Sequence, residues 1–332
     1  MSSEQKNNSD GPIIHDWGSL RGPDFQAMDR EKTVILVTCS PMEVHGPHLP
    51  VVTDILEAQQ LMLQSVRVLH KQHPEIQYIQ LPPMFLANDV VPHSGSIKFR
   101  SSTIIRVFED LGRSLAAQGF KDVWISSFHG GPRHFVALET GCARANRKYG
   151  SRMISMFSLL LNLLTGGATD LSEILAGVSG LDQSALKGDT HGGAVETSMM
   201  LKLMGERVDP DYTTLPQITV KSRMKEKGLV VPQKQQGQKP SLGFLLKELR
   251  FKLKFYEDDT YSGHPAKATK QAGDEIMDIL CGHAAEALGE IWRRERFSNE
   301  WYSPLYPVRF LLNNDWFGEL VMKMVRYRTE VW

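Results

Sequence analysis

Two segments of the chain carry imidazoles and carboxylates at spacings that suit a divalent cation. In PMEVHGPHLPVVTD, Glu43 and His45 lie two residues apart, so an extended backbone turns both side chains to one side. Asp54 follows the turn at Gly46 and Pro47, at the predicted start of a helix. There the helix dipole favours a carboxylate, which can face the same point. His129 ends the run that begins DVWISSF, at the carboxyl edge of a predicted strand, where open α/β sheets hold their ligands. A single histidine or glutamate near a strand end is more often a hydrogen-bonded polar residue than a ligand. Four converging on one edge reverse that balance.

Mixed imidazole and carboxylate donors suit Zn²⁺, Mn²⁺ or Fe²⁺, and the absence of a nearby thiolate argues against a closed structural zinc site. Positions left open for water are what hydrolysis requires. A second segment, GDTHGGAVETSMMLKLM, sets His191 and Glu196 at the start of another predicted helix.

The elements that must position these groups alternate. Residues 33–39, TVILVTC, read as a strand buried on both faces, and a helix runs from Thr53 toward Pro74. A strand near 76–83, a helix over 103–118, a strand over 122–128, a helix over 135–149 and a strand near 152–157 follow, then a helix over 195–204. Such alternation implies a doubly wound parallel sheet. Residues 1–12 read as a disordered tail, 13–285 as one α/β domain, and 286–332 as a C-terminal extension that packs on the domain or a neighbouring subunit. Within the domain, residues 220–256 are basic and carry the low-complexity KQQGQKP at 234–240, which reads as a solvated loop.

Lys plus Arg equals Asp plus Glu at 38 each, so no net field draws the chain to nucleic acid or an anionic membrane. Three widely spaced cysteines give neither a disulfide framework nor a thiolate knuckle and fit a reducing cytoplasm. The N-terminus lacks the basic start and apolar run of a secretory signal, and no segment reads as a membrane span. With no GxGxxG after a strand, no P-loop and no GxSxG elbow, nucleotide-binding and serine-hydrolase readings have no anchor.

These residues also carry a resemblance. EVHGPHLPVVTD is similar to the EQHGPHLP segment of the creatininase family, which ends in Thr and Asp at the same spacing. FHGGP at 128–132 resembles the family's strand ending in HGG, and HGGAVETS at 191–198 its later HAG segment leading to Glu, Thr and Ser. HSGSI at 93–97 and SGHPAKATKQAG at 262–273 are weaker echoes, so the likeness spans residues 30–285. It implies a three-layer α/β sandwich, a central mostly parallel sheet with helices on both faces, and a closed homo-oligomer. It further implies Glu43, Asp54 and His129 around one metal, with His45 and Asp54 at a second and Asp54 bridging.

His191 corresponds to the family's catalytic histidine, and an imidazole with an ordinary pKa of about 6.5 can give a proton to a departing amine at neutral pH; its plainer role is to stabilise a helix start. Creatininase fills its second site with a Glu two residues after the strand-end His, where this chain has Gly131; Glu196 is the candidate replacement, or a substrate-binding residue. His48 reads as structural, and the role of His93 is open. No tryptophan lies between Trp124 and Trp292, whereas creatininase closes its substrate under tryptophans there, so the chain resembles an HGG member of the family rather than creatininase itself. The implied activity is hydrolysis of an amide, cyclic amide or formamide C–N bond in a small molecule or peptide. The alternative is a non-catalytic metal-binding scaffold of the same fold.

Overall fold

A computed structural model describes residues 11–165, 174–229, 241–293, 301–329 and 331. The tail at 1–10 and the segment at 234–240 lie outside the described residues. Short apolar runs form β1 (Ile14–Asp16), β2 (Thr33–Thr38), β3 (Gln77–Gln80), β4 (Asp122–Ser126) and β5 (Arg152–Ser155), one sheet in the order β1-β3-β2-β4-β5. Every pairing is parallel. The helices are α1 (Gly22–Ala27), α2 (Thr53–His70), α3 (Ser101–Ala117), α4 (Pro132–Tyr149), α5 (Met156–Thr165) and α6 (Ala194–Met204). They continue with α7 (Val220–Glu226), α8 (Leu242–Asp258), α9 (Lys270–Arg293), α10 (Arg309–Leu312) and α11 (Asp315–Met324).

The sheet is the middle of three layers, because successive strand residues face opposite ways. Val34, Leu36, Tyr78, Trp124 and Ile154 join a core with residues of α2, α5, α6 and α9. Ile35, Val37, Ile79, Val123, Ile125 and Met153 face the other way, onto α3 and α4. A strand buried on both faces must be apolar throughout, which is why β2 shows no alternation. The chain leaves β2 for β3 on one side and later enters β4 on the other, so the order reverses beside the carboxyl ends of β2 and β4. That crevice is where such sheets bind ligands.

The structure differs from the sequence reading at two places. β1 has three residues, too few for periodicity to reveal. The described parts of the basic stretch at 220–256 are helical rather than a solvated loop. Ser241 caps α8 by accepting from the Phe244 amide, and Glu248 pairs with Lys252 one turn on at 2.8 Å, so its charges are helix-compatible.

Beyond α9, the stretch from Ser303 to Asp315 is tied to α4. The buried carboxylate of Glu139 accepts from the Ser303 amide (2.6 Å) and hydroxyl (3.1 Å). Arg133 donates to the Leu312 carbonyl (2.8 Å) and pairs with Asp315 (3.3 Å). No helix among the described residues is long and apolar enough to cross a membrane.

Candidate metal centre

The loop after β2 folds back on itself. The Glu43 amide donates to the Val51 carbonyl (2.9 Å), and Gly46 takes φ +70°, where a Cβ would strike the His48 ring at 2.9 Å. This turn drives His45 fully into the interior. Its Nδ1 lies 2.9 Å from the Glu43 carbonyl, to which it must donate, so Nε2 faces Asp54 Oδ1 at 3.0 Å and Glu196 Oε2 at 3.8 Å. His129, after β4, repeats the arrangement. Nε2 donates to the Asn88 carbonyl (3.0 Å), and Nδ1 faces Glu43 Oε2 (3.0 Å) and Asp54 Oδ2 (3.5 Å).

In each neutral ring the nitrogen facing the carboxylates carries a lone pair, so the contact is repulsive unless a positive charge lies between. Without a cation a proton must supply it. Burial opposes charge on His45, yet Asp54 and Glu196 outweigh it and lift its pKa to about 10. Burial likewise opposes charge on His129, and Glu43 and Asp54 raise it well above the usual imidazole range. Burial would raise Asp54, but His45 and His129 hold it well below the ordinary carboxylate range. Asp54 sits in the first turn of α2 and faces both imidazoles with separate oxygens.

Glu43 turns Oε1 to the Val91 amide (2.5 Å), while its Oε2, like Asp54 Oδ2, is buried and accepts no hydrogen bond. Orphaned carboxylate oxygens at the centre of a buried His/Asp/Glu cluster are donors suited to a cation. Three trios bring ligand atoms within 4.8 Å of one another: Glu43, Asp54 and His129; His45, Asp54 and Glu196; Glu43, His45 and His191. The donor set therefore fits one or two divalent ions of the Zn²⁺, Mn²⁺ or Fe²⁺ class.

His191 and Glu196 are set by the turn before α6. Gly192 takes φ +57°, where a Cβ would meet the His45 backbone at 3.1 Å. Its amide donates to Glu196 Oε2 (2.5 Å), aiming that carboxylate at His45. His191 donates from Nε2 to the Val44 carbonyl (2.8 Å) and stacks on His45 with ring centroids 4.1 Å apart.

Other predicted residues fall outside the cluster. His48 bonds the Thr197 hydroxyl (2.8 Å), and burial with the neighbouring His45 lowers its pKa to about 4, so it ties the loop to α6 as a neutral ring. His93 is exposed and bonds the Ser94 carbonyl. At Gly131 a Cβ would meet His129 Nε2 at 2.5 Å and Asp89 Cβ at 2.8 Å, so the loop as folded has no room for a glutamate there.

Sequence reasoning missed three supports. Asn88 contributes a backbone carbonyl, which leaves no signature. His134 stands edge-on to His129 (5.2 Å) and bonds Ser127 (3.0 Å); burial, with His129 beside it, lowers its pKa to about 3. Glu57 is fully buried, and neither carboxyl oxygen has a hydrogen-bond partner. Burial, then Glu196 and Asp54, push its pKa well above the usual value. An acid three residues after Asp54 lies on the same helix face, a signal the sequence did contain.

Known structures share this architecture. A creatinine amidohydrolase candidate from Bacteroides fragilis NCTC 9343 aligns at TM-score 0.58 and 18% identity, over 86% of this chain and 98% of its own. A creatininase aligns at TM-score 0.55 and 16% identity over 84% and 98%. A manganese form of creatininase aligns at TM-score 0.53 and 15% identity over 85% and 100%. No curated protein matches by sequence. A sequence model of the family described as creatinine amidohydrolase matches residues 18–288, and the chain belongs to that family, the creatininases.

Proposed function

We propose that this chain is a metal-dependent amidohydrolase that cleaves a C–N bond of a small-molecule or peptide amide with water. The observation that carries the reading is the paired imidazole geometry. His45 and His129 each fix one ring nitrogen on a backbone carbonyl and turn the other to a shared carboxylate, Asp54. Glu43, Asp54 and His129 would hold one ion, and His45, Asp54 and Glu196 a second. A bound divalent ion supplies charge that polarises a carbonyl and lowers the pKa of water from about 15.7 toward 7.

The protein's own groups do the rest. His191, its ring fixed by the Val44 carbonyl, gives a proton to the departing nitrogen. Glu196 is placed to accept the proton of the attacking water, or to hold the second ion. The substrate is a compact amide, cyclic amide or formamide rather than creatinine, since no tryptophan occurs between Trp124 and Trp292 to cover that ring. We place the protein in a reducing cytoplasm on its three buried, unpaired thiols. We also read it as a closed homo-oligomer, with residues 286–332 as an appended segment, both checked by light scattering of the full chain and of a truncated one.

The test is metal analysis of purified, reloaded protein with a panel of amides, with and without chelator. Hydrolysis that stops on chelation is expected, and His191→Ala should retain metal while kcat falls roughly a hundredfold or more. Full metal occupancy with no turnover of any amide would overturn the enzymatic reading.

A further inference from the structure

We propose that the protein carries a second small-molecule site, for a phosphorylated ligand, in the cavity where the C-terminal segment closes over α3 and α4. The cavity measures about 540 Å³, within the range of ordinary ligand pockets. Four arginines line it: Arg106 of α3, Arg144 and Arg147 of α4, and Arg309 of α10. No acidic residue lines it, although the chain as a whole is neutral.

Glu109 is the neighbouring counter-charge, and it already serves Arg144 (3.4 Å) and Lys148. Arg106 and Arg147 have no carboxylate within 4.0 Å among the described residues. Three separate segments thus deliver like charges to one concavity, an arrangement that self-repels until an anion fills it. Guanidinium groups match phosphate oxygens two bonds at a time, so a phosphoryl group is the fitting anion.

The rest of the wall suits an organic body on that phosphate. Ile105, Ala143 and Phe310 give it apolar surface, and Arg309 is held in place over the Tyr306 ring (4.3 Å) and on the Tyr306 carbonyl (3.1 Å), with Tyr302 stacked on the same ring at 4.1 Å. Asn313 donates to the Thr140 hydroxyl (2.8 Å), which ties the C-terminal side of the wall to α4. The wall is built rather than adventitious, because Ser303 on Glu139 and Leu312 on Arg133 tie it to α4. Its C-terminal part, Tyr306 to Asn314, lies beyond residues 18–288, where the family match ends.

Calorimetric titration of the metal-loaded full chain with adenosine 5′-monophosphate, against adenosine, tests the site. Binding of the monophosphate that weakens with added salt is expected, with adenosine at least tenfold weaker. The Arg106→Ala/Arg147→Ala double variant should lose roughly tenfold or more for each arginine. These side chains are exposed, so its melting temperature should not move. His129→Ala, which disables the metal centre, should bind the monophosphate as the parent does. Affinity that disappears in His129→Ala yet survives in the double variant would assign the phosphate to the metal centre and sink the proposal. Equal affinity for adenosine, or no binding below about 1 mM, would do the same.

Discussion

His45 and Asp54 form a buried pair whose charge state depends on whether a cation is present, and this sets the pH response. In the metal-free protein the folded pKa of His45 is about 10, above its unfolded value of 6.5. The stabilisation is therefore complete below about pH 6.5 and lost as pH rises through about 10. Differential scanning calorimetry of chelator-treated protein should show its melting temperature falling across that window. The reloaded protein should hold steady, because loading releases those protons. Glu57 gives a second check. A carboxyl kept neutral by burial is closely mimicked by an amide, so Glu57→Gln should change the urea-unfolding free energy of metal-free protein by less than about 1 kcal/mol. Glu57→Ala should cost about 2 kcal/mol through the cavity it opens. A large penalty for the glutamine variant would mean that the group is ionised in the fold. Glu43, His45, Asp54 and His129 were legible as candidates from their spacing at strand and helix ends, and His191 and Glu196 through the family resemblance. The carbonyls of Asn88, Glu43 and Val44 that orient the imidazoles were not, since a backbone acceptor has no residue type.

The ligands are held in place by how closely two helices approach. A Cβ on Gly273 of α9 would overlap the Ser198 carbonyl of α6 at 2.0 Å, so these helices pack backbone to backbone at the level of the turn that carries Glu196. Gly273→Val should cost about 1 to 3 kcal/mol in chemical denaturation and weaken retention of the second ion more than the first. Equal loss of both ions would show that α6 does not set their difference. Helix and strand positions near the site could be read from periodicity because β2, α2, β4 and α4 bury whole faces. The helix α8 could not: its Lys and Arg count masked apolar residues interleaved at helical spacing, and its single fully buried residue, Phe255, left little pattern to find. The Cβ clash at Gly131 depends on where Asp89 comes to lie, a contact between remote segments that sequence does not encode locally.

The C-terminal segment and the body share one buried carboxyl. Removing residues 301–332 would strip Glu139 of the Ser303 amide and hydroxyl and leave it only Ser158, at a cost of about 1 to 3 kcal/mol. A thermal shift is the measurement: the truncated protein should melt lower by several degrees, and Glu139→Gln in the same background should recover part of that loss. An unchanged melting temperature would mean that the segment is an independent appendage. The groups that face Asp54 have a related consequence. They come from β2's exit, the start of α2, the exit of β4 and the start of α6, so only a fragment reaching from Glu43 to Glu196 contains them all. A cation held there would act as a reversible cross-link between distant stretches, disfavouring the open chain much as a disulfide does. Ion retention would then report on assembly of the entire sandwich, and dilution or chelation would loosen it everywhere at once rather than at one edge.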